Sequence, residues 1–238
     1  MSEIEVSPQR RRRRRGSLTP ELVLNTAFSL AEEHGLASFT MPELAAHLDV
    51  GVTGLYWHYR TKDELIRAMS IPAMTRLDSL MMRPDGEDPR QWRDFLTRYF
   101  RRLRSVYNEN PVLADIMLTR PSPHDEEAVT VAYSAVDELI AYLISAELTR
   151  ETAFYVFSTA LHFTQSTVIA ELARARHGKP VFFLQDTDRL RQLGWSTLAT
   201  LTADNTVELD MTGERAFRVG LEMIVSGAQP EKSQHTVR

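Results

Sequence analysis

Two groups of residues in this sequence have types and spacing suited to contact with a polyanion. The first is an unbroken run of six arginines, Arg10 through Arg15. Guanidinium groups stay charged and present a planar fork of donors that matches phosphate oxygens. Arg14 and Arg15 are its candidate contacts with nucleic acid. The second group is Thr53, Tyr56, Trp57 and His58, set around the apolar Leu55. On a helix, apolar residues such as Ala45, Leu48, Val50 and Leu55 serve as anchors, leaving those four side chains to face outward. Thr40 and Lys62 each stand at the start of a helical segment, where free backbone amides and a polar side chain hold phosphate together. Two plainer readings stand beside these. Tyr56 and Trp57 can pack a small core, and an arginine run can be a solvated tail.

Catalytic chemistry has no comparable footing. The sequence contains no Gly-x-Ser-x-Gly, no P-loop and no His-Glu-x-x-His, and its seven histidines are scattered without metal-ligand spacing. No catalytic residue, metal or cofactor is therefore expected. Cysteine is absent, which removes disulfides and thiolate metal sites and fits a reducing cytoplasm. No secretory signal is expected, because the arginines run into Gly16-Ser17-Leu18-Thr19 instead of an apolar segment, and no stretch is expected to span a bilayer. The net charge is −4, from 28 basic and 32 acidic residues, so attraction to nucleic acid must come from local placement. Between Gly16 and Ser70 only Arg60, Lys62 and Arg67 are basic, against seven acidic residues.

The elements that must position these residues are helical. Thr19 caps a first helix with Pro20 in its first turn, and Gly35 ends it. Thr40-Met41-Pro42-Glu43 is a capping box before a short helix through Leu48. Asp49-Val50-Gly51 turns the chain into a third helix over 52–59. Thr61-Lys62-Asp63-Glu64 opens a fourth, which Pro72 should kink or break. A loop over 82–89 precedes a helix carrying Trp92, Phe95, Leu96, Tyr99, Phe100, Leu103, Val106 and Tyr107, with Arg93, Arg98, Arg101 and Arg104 largely off that stripe. Asn110-Pro111 starts a shorter helix ending before Thr119. Long helices follow over 125–146 and 149–177, the second closed by Gly178 and Pro180. The stretch 179–211 is weakly patterned, and a last helix begins near Thr212. No useful strand alternation occurs. The fold class is all-α: a disordered arm over 1–17, a three-helix helix-turn-helix domain over 18–65, a helical domain over 66–230, and a tail over 231–238.

The run Thr40-Met41-Pro42-Glu43-Leu44-Ala45-Ala46-His47-Leu48-Asp49-Val50-Gly51-Val52, with Gly54-Leu55-Tyr56-Trp57-His58-Tyr59-Arg60-Thr61-Lys62-Asp63-Glu64-Leu65 after it, resembles the tetracycline-repressor (TetR) family. The strong similarity covers about residues 18–70. It implies a ligand-responsive regulator, most often a repressor, that binds a palindromic double-stranded DNA operator as a homodimer. It also implies phosphate contacts from Thr40, Tyr56 and Lys62, and groove contacts from Val52, Thr53, Trp57 and His58. Pro42 stands where the family's tetracycline-responsive members carry a base-reading arginine, so a different operator is expected.

Thr119-Arg120-Pro121 and His162-Phe163-Thr164 resemble the ligand domain of those same members. Ile116, Asp78 and Ala170 replace the groups that hold a drug-borne magnesium there. The resemblance therefore implies a small, fairly apolar effector, with Trp92, Phe95, Tyr99, Ile116, Thr119, Arg120, His162 and Gln165 as candidate lining. The plainer reading of the aromatic stripe and of His162 is ordinary core packing. The dimer is expected to use helices over 149–176 and 212–227. Small residues Ala153, Ser158, Ala160, Thr164, Thr167 and Ala170 would admit a close helix partner.

Overall fold

The computed structural model describes residues 18–119, 126–178, 186–203 and 212–229, and among them there are helices and no strands. The sequence signals act where they stand. Thr19 Oγ1 accepts from the Leu22 amide at the start of α1 (Pro20–His34), and Gly35 leaves it with φ 87°, a conformation that a Cβ disfavours. The Thr40–Glu43 box closes reciprocally at the start of α2 (Met41–His47). Asp49 turns the corner at φ 54°, tolerable for a short polar side chain, and leads into α3 (Val52–Tyr56). Thr61 caps α4 (Lys62–Ala68) by accepting from the Glu64 amide.

Two boundaries differ from the sequence expectation. α3 ends at Tyr56, short of position 59, because the His58 and Tyr59 amides both turn back to the Leu55 carbonyl and tighten the last turn. The break associated with Pro72 lies upstream of it, at Met69, between α4 and α5 (Ser70–Leu80). Pro72 occupies the first turn of α5, where its missing N–H is no loss.

A 3-10 turn, Pro89–Gln91, feeds α6 (Trp92–Glu109), the pillar of the body. Its stripe Trp92, Phe95, Leu96, Phe100, Leu103, Val106 and Tyr107 is buried, with Phe95 edge-on to Tyr142 at 5.0 Å and Phe100 against Phe157 at 5.9 Å. After α7 (Pro111–Ala114) the chain unwinds into a wider π turn, Asp115–Thr119. Next come α8 (Glu126–Ser145) and α9 (Arg150–His177), close to the expected spans. The weakly patterned stretch holds two short helices that periodicity missed, α10 (Thr187–Gln192) and α11 (Ser196–Ala203), which pack on each other. α12 (Glu214–Gly227) completes the described chain and lies against α9 and α6.

One covered ion pair has no signal in the sequence, and two further expectations need correction. Arg104 turns inward, its side chain only 14% exposed, where it pairs with the equally covered Glu171 of α9 at 2.6 Å and lies over the Phe217 ring. The small residues Ala153, Ala160, Thr164 and Thr167 are buried within their own chain, so they admit neighbouring helices of the same chain. Finally, α8 does reach spanning length, with a mean hydropathy of 1.4 over its most apolar window. Asp137 and Glu138 sit in its middle, and Glu138 pairs with Arg83 at 2.8 Å, a placement suited to water and not to lipid.

Two glycines differ sharply in their surroundings. A Cβ on Gly220 would lie 2.5 Å from the Phe163 ring, itself stacked on Phe217, whereas one on Gly54 would meet nothing within 4 Å. Gly220→Ala is expected to cost about 1–3 kcal/mol by overpacking. Gly54→Ala, in α3, is expected to stabilise by about 0.5–1 kcal/mol through backbone entropy. Thermal unfolding of the two variants should move Tm in opposite directions.

Candidate nucleic-acid interface

The head formed by α1–α4 closes over Val23, Ala27, Leu30, Leu44, Ala45, Leu48, Leu55 and Leu65, all buried. Leu55 is 0% exposed, so α3 is pinned with one face inward. The helical period then turns Thr53, Tyr56 and Trp57 the other way. Tyr56 is 43% exposed and Trp57 85%, Thr53 is exposed, and Val52 and His58 are partly covered. The core-packing reading of Trp57 is thereby excluded within this chain. An exposed indole of that size, beside a phenol and a threonine on one short helix, gives the head an apolar, hydrogen-bonding face with no charge of its own. Burying such a ring is worth on the order of 1.5–3 kcal/mol to whatever covers it.

Thr40 and Lys62 are held by contacts of their own. The Thr40 amide donates to Glu43 Oε2 at 2.7 Å, and the Glu43 amide donates to Thr40 Oγ1 at 3.3 Å. The Thr40 amide and the Thr40 hydroxyl, which also donates to Glu43 Oε2 at 3.0 Å, hold the Glu43 carboxyl below its ordinary pKa. Lys62 Nζ donates to the Ala37 carbonyl at 2.9 Å and to the Phe39 carbonyl at 2.5 Å, and it sits 4.2 Å from the Phe39 ring centroid. Its ammonium thus ties the start of α4 to the link between α1 and α2. No sequence spacing signals that tie, because the partners are backbone atoms more than twenty residues upstream. Arg14 and Arg15 lie outside the described residues.

The candidate effector residues differ widely in exposure. Trp92, Phe95 and Ile116 are buried in the body, Tyr99 is half-buried, and Thr119 and His162 are exposed. His162 Nδ1 is hydrogen-bonded to the Ser158 carbonyl at 2.7 Å on the outer side of α9, and Gln165 is partly covered. Arg120 lies outside the described residues. Burial pushes the Tyr99 phenol up to about 12, so it is a neutral donor at physiological pH. Asp78 is engaged by both oxygens with Arg83 at 2.7 Å.

Two clefts among the described residues are lined by other side chains. One runs along Arg98, Arg101, Arg102 and Arg104, where Glu109 and Glu214 balance much of the charge. Another, of about 450 Å³, lies at the seam between head and body. There Arg76 of α5 reaches Glu32 of α1 at 3.1 Å and Asn110 at 2.9 Å, and Arg176 holds the buried Asp115 at 2.7 Å. Sequence reading missed both links, since their partners lie 34 to 61 residues apart. No group of three or more His, Asp or Glu placed to hold a metal occurs among the described residues.

Comparison with known proteins agrees with this architecture. Residues 23–69 match the family described as bacterial regulatory proteins, tetR family, and residues 84–231 match the tetracyclin repressor-like C-terminal domain. An HTH-type transcriptional repressor of Mycobacterium tuberculosis is 35% identical over 167 residues, covering 70% of this chain. The chain spans about 62% of the length of that relative. The class D tetracycline repressor protein of Escherichia coli is 27% identical over 216 residues, with 88% of each chain covered. In fold, the Streptomyces coelicolor TetR family protein ActR, solved in complex with actinorhodin, superimposes with a TM-score of 0.66 at 24% identity, covering 90% of this chain and 97% of ActR. With a helix-turn-helix head and a helical body both matched, the chain belongs to the TetR family of bacterial regulatory proteins.

Proposed function

We propose that this chain is a transcriptional regulator, acting as a repressor, that binds a palindromic operator as a homodimer in the cytoplasm and is released by a small, fairly apolar molecule. The observation that carries the reading is the outward face of α3: with Leu55 buried, Thr53, Tyr56 and Trp57 stand free on the side that a recognition helix turns to the major groove. Thr40 and His58 flank that face, and the arm ending in Arg14 and Arg15 adds phosphate attraction. No catalytic step belongs to this reading.

Dimerisation is supported by the apolar side chains that α9 and α12 leave outside. Phe154, Tyr155 and Ile169 are exposed on α9, and Met223 is 69% exposed on α12. Exposed apolar groups of this kind mark a surface built for contact. A two-fold pair of heads then matches two operator half-sites about one DNA turn apart. An apolar effector is supported by Ile116, which is buried, and by Ala170, both standing where a metal-borne drug would need polar groups. Tyr99, Thr119 and Gln165 are the partly or fully accessible polar members of the proposed set, to which Trp92, Phe95, His162 and Arg120 also belong.

Selection of bound sequences from random DNA at physiological salt tests the reading, and a palindromic motif is the expected result. Trp57→Ala should weaken binding to that motif at least tenfold, on the order of 1.4 kcal/mol or more, with Tm unchanged. Met223→Glu should shift the chain toward monomer in sedimentation and abolish operator binding at the same protein concentration. Lys62→Met separates two roles for this lysine. Lost carbonyl contacts should lower Tm and weaken DNA binding with the salt slope unchanged, whereas a direct phosphate contact would reduce the slope by about one.

A further inference from the structure

We infer that the operator is read through the 5-methyl groups of thymine, so that the base pairs facing α3 are predominantly A·T. The inference deepens the proposed DNA-binding reading and rests on it. It starts from what the exposed face of α3 lacks. From Val50 to Tyr59 there is no Arg, Lys, Asn, Gln, Asp or Glu. Those are the side chains that grip guanine O6 and N7, adenine N6 and N7, or the cytosine amino group. The exposed positions of α2 do not supply them. Pro42, Ala46 and His47 offer no fork, and the Glu43 carboxylate is turned back onto Thr40.

What the face does offer is apolar surface with single hydrogen bonds. Val52, the methyl of Thr53 and the ring of Trp57 present carbon toward the groove, and the matching feature on a base is the thymine methyl. Gly54 supplies a second, independent observation. It sits inside a five-residue helix, where glycine weakens the helix, and its φ is not in the left-handed region. A Cβ there would touch nothing within 4 Å, so neither backbone conformation nor internal packing asks for glycine. Its smoothness serves something outside the chain. A bare backbone between Thr53 and Trp57 lets a base edge come up against the helix itself.

The test uses the full chain and the motif recovered by selection. Each thymine is replaced in turn by deoxyuridine, which pairs identically and lacks only the methyl. Loss of about fourfold in affinity is expected at each contacted position, the effect of removing one buried methyl, and no loss elsewhere. Gly54→Ala should weaken binding to the thymine operator tenfold or more, while binding to nonspecific DNA and its salt dependence stay the same. Unchanged affinity on uracil DNA, or a motif whose positions under α3 are G·C, would overturn methyl reading and leave the sequence-specific regulator standing. Absence of any enriched motif would overturn both.

Discussion

The complete burial of Leu55 is the constraint on which the head depends. A helix of five residues has little stability of its own and is held by what it packs against. Once Leu55 is seated in the core that also holds Leu44, Ala45, Leu48 and Leu65, the 100° step between residues leaves no choice about the rest of α3. Thr53, Tyr56 and Trp57 are turned out, and the chain must reverse before Tyr59, which folds back under cover. The capping box at Thr40 and the Lys62 ammonium on the Ala37 and Phe39 carbonyls then fix how α2 and α4 meet that anchor. Loss of the anchor would release all of these relations together.

The body is organised differently, around a single long pillar. α6 buries an aromatic stripe on one side and pairs Arg98, Arg101 and Arg102 with carboxylates around the other. Arg104 is the exception that ties the two together, because it is covered, paired with Glu171 and Glu214, and laid over Phe217. A covered pair of this sort gives little net stability compared with an apolar substitute, but it fixes which turn of α6 faces which turn of α9. The stacked Phe163–Phe217 rings, admitted by the bare Gly220, do the same for α9 and α12.

Much of the fold was legible because its signals are local. Thr19, Thr40 and Thr61 each announce a helix within three residues, and the stripe from Trp92 to Tyr107 is long enough for its period to be unmistakable. The short α10 and α11 carry too few turns for a period, and nothing near them in the sequence marks their contact. At the candidate interface, the identity of the outward residues was legible from the spacing around Leu55. The burden on Lys62 was not, since its partners are carbonyls of a distant link. The effector residues fared least well. An apolar stripe looks the same whether it fills a core or borders an opening, and Trp92, Phe95 and Ile116 fill a core. The small residues of α9 misled for a related reason: closeness of approach is legible, but not which helix approaches.

Arg76 bears on how chains of this kind diversify. One side chain reaches Glu32 on the head with one nitrogen and Asn110 on the body with another. Both partners in the Glu32 pair are about half exposed, and pairs of that kind are worth roughly 0–1 kcal/mol. The polar junction between the two halves is therefore cheap and narrowly specified. A head transplanted by recombination keeps it wherever a carboxylate stands at position 32, whatever has changed between positions 52 and 57. Reversal of charge at 32 would set two cations side by side and mark the graft as foreign. Residues 52–57 can in this way change without touching this contact between the two halves.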